Sequence, residues 1–184
     1  MPDGGSEEQL KDTYLVQRAQ DGYLDAYAEL VSRYAGLAYR VALRIVGEHH
    51  DAEDVAQESL VAAWQHLARF RGDSAFSTWL YRIVTRRALN RVQRRPAASS
   101  LDTLGDVPAG DQPALSVERE LTRDAVTNAI LALPPAQRVA VVLHHLEGLS
   151  YAEVADITDS SEPAVRSHLF RARRTLGSTL ADWK

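Results

Sequence analysis

The sequence predicts an all-α protein: two small helical domains joined by a flexible linker. Three observations predict it. Apolar residues recur at i, i+3 and i+4 through most of the chain, and no strand-like alternation appears. A stretch rich in proline, glycine and aspartate at residues 96–117 has no helical period and divides the chain. The segment from Gly148 to Leu176 reads as two helices joined by a short polar turn.

Residues 1–11 are polar and acidic and read as a disordered tail. Residues 12–95 form the first predicted domain. Tyr27, Leu30, Val31, Tyr34, Leu37, Ala38, Val41 and Ile45 make a long helical stripe, which Gly47 ends. Asp51 begins a second helix, with acids in its first turn favoured by the helix dipole. Its expected buried stripe is Ala56, Leu60, Ala63, Trp64 and Leu67; its expected outer stripe is Asp54, Glu58, Val61 and Gln65. Phe70 to Ser74 reads as a loop. A third helix is expected from about Ser77 to Arg95, packing through Phe76, Leu80, Ile83 and Val84.

The linker, residues 96–117, reaches roughly 70 Å when fully extended. Residues 118–184 form the second predicted domain, with Ser116 as the cap of its first helix. Pro134 and Pro135 end that helix after Leu133, and another follows from about Ala136 to Glu147. Ser150-Tyr151-Ala152-Glu153 then matches a capping box. Asp159-Ser160-Ser161 breaks the capped helix, and Pro163 suits the first turn of the next. On that last helix Val165, Leu169, Ala172 and Leu176 share a narrow arc. Arg166, Ser167, Phe170, Arg171 and Arg174 share the opposite one. A helix that packs on one side and presents arginines on the other suits a helix-turn-helix reader of the major groove. The competing reading is a helical hairpin whose arginines only solvate an exposed face.

Composition narrows the function classes. The 184 residues contain no cysteine, which excludes disulfides, thiol redox sensing and cysteine-ligated zinc. No signal peptide and no apolar run of about 18 residues appear, so a soluble cytoplasmic protein is expected. The net charge of −4 is unlike that of a nucleic-acid binder, but the charge is segregated. Arg82 to Arg95 holds six arginines and no acid; Val165 to Lys184 carries +4; Glu48 to Glu58 carries −5. Two nucleic-acid faces and one face for a basic protein partner follow from this pattern, against the plainer alternative of solvated helix faces. The pairs His49-His50 and His144-His145 are adjacent rather than spaced i, i+4, so no metal site is expected. No nucleophile–base arrangement and no Gly-rich phosphate loop appear. The chain reads as a non-enzyme without a cofactor.

Two blocks carry a family resemblance. One is DAEDVAQESLVAAW, then FRGDSAFSTWLYRI, then the basic run to Arg95. The other is LPPAQRVAVVLHHLEGLSYAEVADI, then AVRSHLFRARRTL. Together they cover most of the chain, and it resembles an extracytoplasmic-function sigma factor, the group 4 class of the sigma-70 family. The resemblance implies that the first domain is region 2, which binds the clamp helices of core RNA polymerase and opens the −10 element. It implies that the second is region 4, which reads the −35 element and touches the polymerase flap. The polymerase contact falls on Asp54, Gln57, Glu58 and Val61, an acidic ridge suited to a basic helix. Contacts to −10 DNA fall on Phe70, Arg71, Ser74, Phe76, Trp79, Arg82, Arg86, Asn90 and Arg91; for Trp79 a core role stands equally open. Contacts to −35 DNA fall on Arg166, Ser167, His168, Phe170, Arg171 and Arg174. An anti-sigma partner is implied, and membrane insertion is not.

Departures are visible. Arg86 stands where the family commonly has asparagine, which puts −10 specificity in doubt. His168 replaces a common basic residue, which implies a weaker or acid-sensitive −35 contact. The helix-turn-helix turn lacks the usual glycine. No C-terminal sensor domain is expected. Two rival readings stay open: a stand-alone dimeric helix-turn-helix regulator, and an interaction module that sequesters a partner, such as an anti-sigma decoy.

Overall fold

The structure, a computed structural model, describes residues 4–94 and 115–181. Arg95 and most of the expected linker lie outside these residues. Every regular element among them is helical.

The first lobe holds α1 (Gly4–Gln20), α2 (Leu24–Val46), α3 (His49–His66), a 3₁₀ turn (Leu67–Arg69) and α4 (Phe76–Arg94). α2 is its axis. Leu30, Ala38, Val41 and Ile45 of the expected stripe are fully enclosed, and so is Ala42 beside them; each buried leucine, isoleucine or valine contributes about 1.5–3 kcal/mol. The helix stops at Gly47, whose left-handed backbone (φ 80°) lets its N–H donate to the Leu43 carbonyl at 2.8 Å. α3 starts two residues earlier than expected because Glu48 caps it, accepting from the His50 and Asp51 amides at 2.9 and 2.6 Å. Its buried face is Ala52, Val55, Ala56, Ser59, Ala62 and Ala63. These small residues let α2 and α4 approach closely.

Two expectations need correction here. Trp64 was expected in the buried stripe of α3, but it is 36% exposed, its ring 4.8 Å from that of Tyr27. The small-residue face rotates the helix so that Trp64 lies at the core's edge. The N-terminal segment, expected as a disordered tail to residue 11, is helical from Gly4. Farther along this helix, Val16 and Ala19 are buried, and Asp12 is bonded by the Tyr34 hydroxyl and by Arg33 at 3.3 Å.

The second lobe holds α5 (Leu115–Leu131), α6 (Pro135–Val141), a π-helical turn (Val142–Leu146), α7 (Tyr151–Ile157) and α8 (Glu162–Ala181). Ser116, expected as the cap of α5, lies inside the helix. Pro134 and Pro135 occupy the cap and first position of α6. The capping box of α7 is present, with Ser150 accepting from the Glu153 amide while Glu153 accepts from the Ser150 amide. Val165, Leu169 and Ala172 of α8 are buried in the same cluster as Val139, Val142, Leu143 and Val154.

The sequence suggests independent lobes on a slack tether. In the structure the lobes dock, and their buried side chains form one continuous cluster. Glu147 of the second lobe has a side chain only 4% exposed. It accepts from Arg40 at 3.3 Å, from Arg44, and from the Tyr81 hydroxyl at 2.9 Å. Arg138 donates to the Ile45 carbonyl at 2.5 Å, and Arg82 reaches Asp156 at 2.6 Å. Gly47 completes the seam: a Cβ there would stand 2.8 Å from the Leu131 side chain.

Candidate nucleic-acid interface

Three surfaces collect the residues singled out from sequence. The first is on α8. The turn leading into it uses Asp159 in the left-handed region (φ 52°), a conformation aspartate tolerates better than most residues. This explains how the turn forms without glycine. Ser161 then caps α8 through the Ala164 amide at 3.4 Å. With Val165, Leu169 and Ala172 inward, Arg166, Ser167, Phe170, Arg171 and Arg174 all face solvent. Phe170 is 63% exposed, a cost that burial against a partner would relieve. Arg166 pairs with Glu162 at 2.7 Å. Arg171 and Arg174 have no carboxylate partner among the described residues. His168 is half-buried between the two faces, and burial, followed by the charge of Arg171, lowers its pKa.

The second surface is the acidic ridge of α3. Gln57, Glu58 and Val61 are exposed and line a shallow groove with Gln65 and Arg87. Asp54 is half-buried and pairs with Arg91 at 2.6 Å; Glu58 pairs with Arg87 at 3.0 Å. Arg91 also holds Asp51 at 2.9 Å. Burial opposes the charge of Arg91, but these two carboxylates outweigh it and raise its pKa.

The arginine run of α4 therefore divides. Arg87 and Arg91 turn onto the acids of α3. Trp79, Arg82, Arg86 and Asn90 follow one another at i, i+3, i+7 and i+11 along a different stripe. Arg91, expected among the contacts to −10 DNA, pairs with the acids of the ridge. Arg82 is held by the second lobe through Asp156.

The third surface is the Phe70–Phe76 loop. Phe76 is buried at 4% exposure, so it supports the loop from below rather than facing a ligand. Phe70 and Trp79 pack on it with ring centroids 6.1 and 5.8 Å away, and on each other at 5.0 Å. Trp79 is thus a partly buried member of the lobe's aromatic edge. Arg71 is exposed and Ser74 half-buried, and both line a cavity of about 290 Å³ whose opposite wall is α1: Asp12, Val16 and Gln20. Gln20 anchors the loop by donating to the Leu67 and Phe70 carbonyls at 2.9 and 2.8 Å. Sequence reasoning missed Gln20 because its partners lie about 50 residues away and are backbone atoms.

Among the described residues no group of acids and histidines has a metal-binding arrangement, and no helix is long and apolar enough to cross a membrane.

Comparison with known proteins agrees with this layout. Residues 30–97 match the family described as Sigma-70 region 2, and residues 123–176 match Sigma-70, region 4. The ECF RNA polymerase sigma-E factor of Escherichia coli is 39% identical over 180 residues, covering 92% of this chain and 94% of the relative. That of Haemophilus influenzae is 39% identical over 184 residues, covering 92% and 95%. Among solved structures, CnrH in complex with the cytosolic domain of CnrY is 30% identical with a TM-score of 0.70, covering 94% of this chain and 98% of that one. The sigma factor RpoE in complex with the anti-sigma factor NepR, from Bartonella quintana, shares the fold at a TM-score of 0.69, with 21% identity over 84% of this chain and 96% of that one. Two helical lobes, an outward arginine-bearing helix, an acidic ridge and these relatives identify the chain as a member of the extracytoplasmic-function sigma factors of the sigma-70 family.

Proposed function

We propose that this sigma factor divides its work among the three surfaces. The ridge of Asp54, Gln57, Glu58 and Val61 binds the clamp helices of core RNA polymerase. The loop cavity, with Phe70, Arg71 and Ser74, takes an unstacked base of the −10 element. Arg82, Arg86 and Asn90 on the α4 stripe follow the opened strand, and Trp79 gives the loop's edge an apolar wall. Arg166, Ser167, Phe170, Arg171 and Arg174 on α8 read the −35 element, with His168 at the margin. The observation that carries this reading is α8 itself, one face sealed in the core and the other offering a bare phenyl ring beside Arg171 and Arg174, which have no carboxylate partner among the described residues.

Extruding a base costs a few kcal/mol, offset by stacking and by hydrogen bonds to its edge. The cavity supplies Asp12 and Ser74 oxygens and the side of Phe70 for this purpose. The chain contributes binding and strand separation while the polymerase carries out the chemistry, so it acts as a non-enzymatic subunit in the cytoplasm. Family membership favours this reading over a stand-alone regulator. An anti-sigma partner also follows: the two structural relatives above were solved as complexes, one of them with a named anti-sigma factor.

The test is transcription with purified core polymerase. The chain is expected to direct starts at defined sites, and Asp54→Ala with Glu58→Ala to weaken core binding by more than about tenfold, as loss of partners for buried charge pairs does. Unchanged core affinity in that double variant would remove the ridge from the interface.

A further inference from the structure

Arg166 stands in the first turns of α8, and two groups approach its guanidinium. Glu162 bonds it at 2.7 Å. The ring of Tyr151 lies under it, with the guanidinium carbon 5.3 Å from the ring centroid, within cation–π range. Tyr151 is the first residue of α7, so the contact spans the two helices of the helix-turn-helix.

The Tyr151 ring is itself fixed. It stacks on His144 at 4.5 Å with an interplanar angle of 23°. His144 is pinned through its Nδ1, which bonds the Leu149 carbonyl at 2.7 Å; because a carbonyl only accepts, Nδ1 carries the proton. His144 belongs to the π-helical turn Val142–Leu146, closed by the Glu147 amide on the Val142 carbonyl at 3.0 Å. Such turns insert an extra residue into a helix and re-aim the side chains around it. Here the turn brings the imidazole under Tyr151.

We propose that Tyr151 is a positioning residue for Arg166, and so sets how sharply this factor discriminates at one base pair of the −35 element. The inference rests on the reading of α8 as the groove helix. A guanidinium reads guanine as a planar two-toothed fork, so its plane matters as much as its charge. Glu162 restrains one edge of that fork and leaves its plane free to turn. A ring beneath the fork fixes the plane and reduces the freedom lost on binding. His144 keeps the ring in place.

The experiment uses the full chain with core polymerase on templates randomised across the −35 element, with start sites read by sequencing. Arg166→Ala is expected to flatten the preference at one base pair. Tyr151→Leu is expected to reduce the preference at that same base pair by about 2–5-fold, the range of one cation–π contact. It should leave the other positions unchanged and have no effect in the Arg166→Ala background. Tyr151→Phe keeps the ring and should retain the wild-type preference. Uniform loss across positions in Tyr151→Leu would overturn the inference, since a phosphate contact or a misfolded helix acts that way. So would a full effect in the Arg166→Ala background, or a Phe variant as poor as Leu. Should the wild-type chain direct no defined start, the functional reading fails first and the inference falls with it.

Discussion

His168 is the residue whose chemistry changes most between sequence and structure. Its position on the reading helix suggested a DNA contact sensitive to acid. In the structure its Nδ1 is enclosed and has no hydrogen-bond partner among the described residues. Burial first, and then Arg171, lower its pKa below the usual histidine value of about 6.5. His145 is lowered too, by burial, His144 and Arg173 in that order. The sign follows. Above about pH 6.5 both folded and unfolded chains keep these rings neutral, and they cost nothing. As pH falls below that value the unfolded chain takes up protons that the folded chain resists, so stability declines toward the lower folded pKa. The melting temperature is therefore expected to drop between about pH 7.5 and about pH 5.5, and His168→Gln to flatten part of that drop. An identical pH slope in the variant would show that His168 titrates freely at the surface. The sequence displayed the residue and its place on α8. Its depth depends on how far α8 rolls onto α6, which spacing alone does not give.

At the level of elements, what was legible followed range. The capping box of α7 was readable because every atom in it comes from four successive residues. Ser150→Ala removes the bond to the Glu153 amide and should cost about 1 kcal/mol, read as a lower urea midpoint at unchanged slope. A midpoint equal to wild type would mean that Glu153 and packing alone hold the helix start. The start of α3 was misjudged by two residues because its cap is Glu48, a residue outside the usual capping set. Trp64 was misjudged because α3 buries alanines, whose weak hydropathy lets one large ring dominate the apparent phase. In α4 the arginine run was plain, but its division was not. Arg87 and Arg91 turn onto α3, and only the carboxylates of Asp51, Asp54 and Glu58, 29 to 40 residues earlier, decide it. The candidate polymerase ridge is accordingly less acidic in net effect than its sequence suggests.

Across the whole molecule, the least legible feature is the docking of the lobes. The Arg40, Arg44 and Glu147 arrangement joins residues more than 100 positions apart, and no local pattern announces it. Docking and function compete for a side chain. Arg82, proposed to follow the opened strand, holds the Asp156 carboxylate and backbone oxygen of the second lobe. On that proposal Arg82 gives up Asp156 when it meets DNA, so the seam loosens at least at this pair. Glu147 is the seam's central anchor: its carboxylate is nearly sealed from water, with burial and this carboxylate together raising the Tyr81 pKa. Hydrogen bonds to a charged group contribute about 1.5–3 kcal/mol each. Glu147→Gln keeps the shape and removes the charge, and Arg40 and Arg44, both partly exposed, regain water as the seam opens. The docked population is thus expected to fall by at least about tenfold. Small-angle scattering of the isolated chain should report a larger radius of gyration for the variant, while helical content stays constant. If the two profiles superimpose, the seam rests on the apolar contacts around Gly47 and Leu131 instead, and Leu131→Ala becomes the variant that parts the lobes.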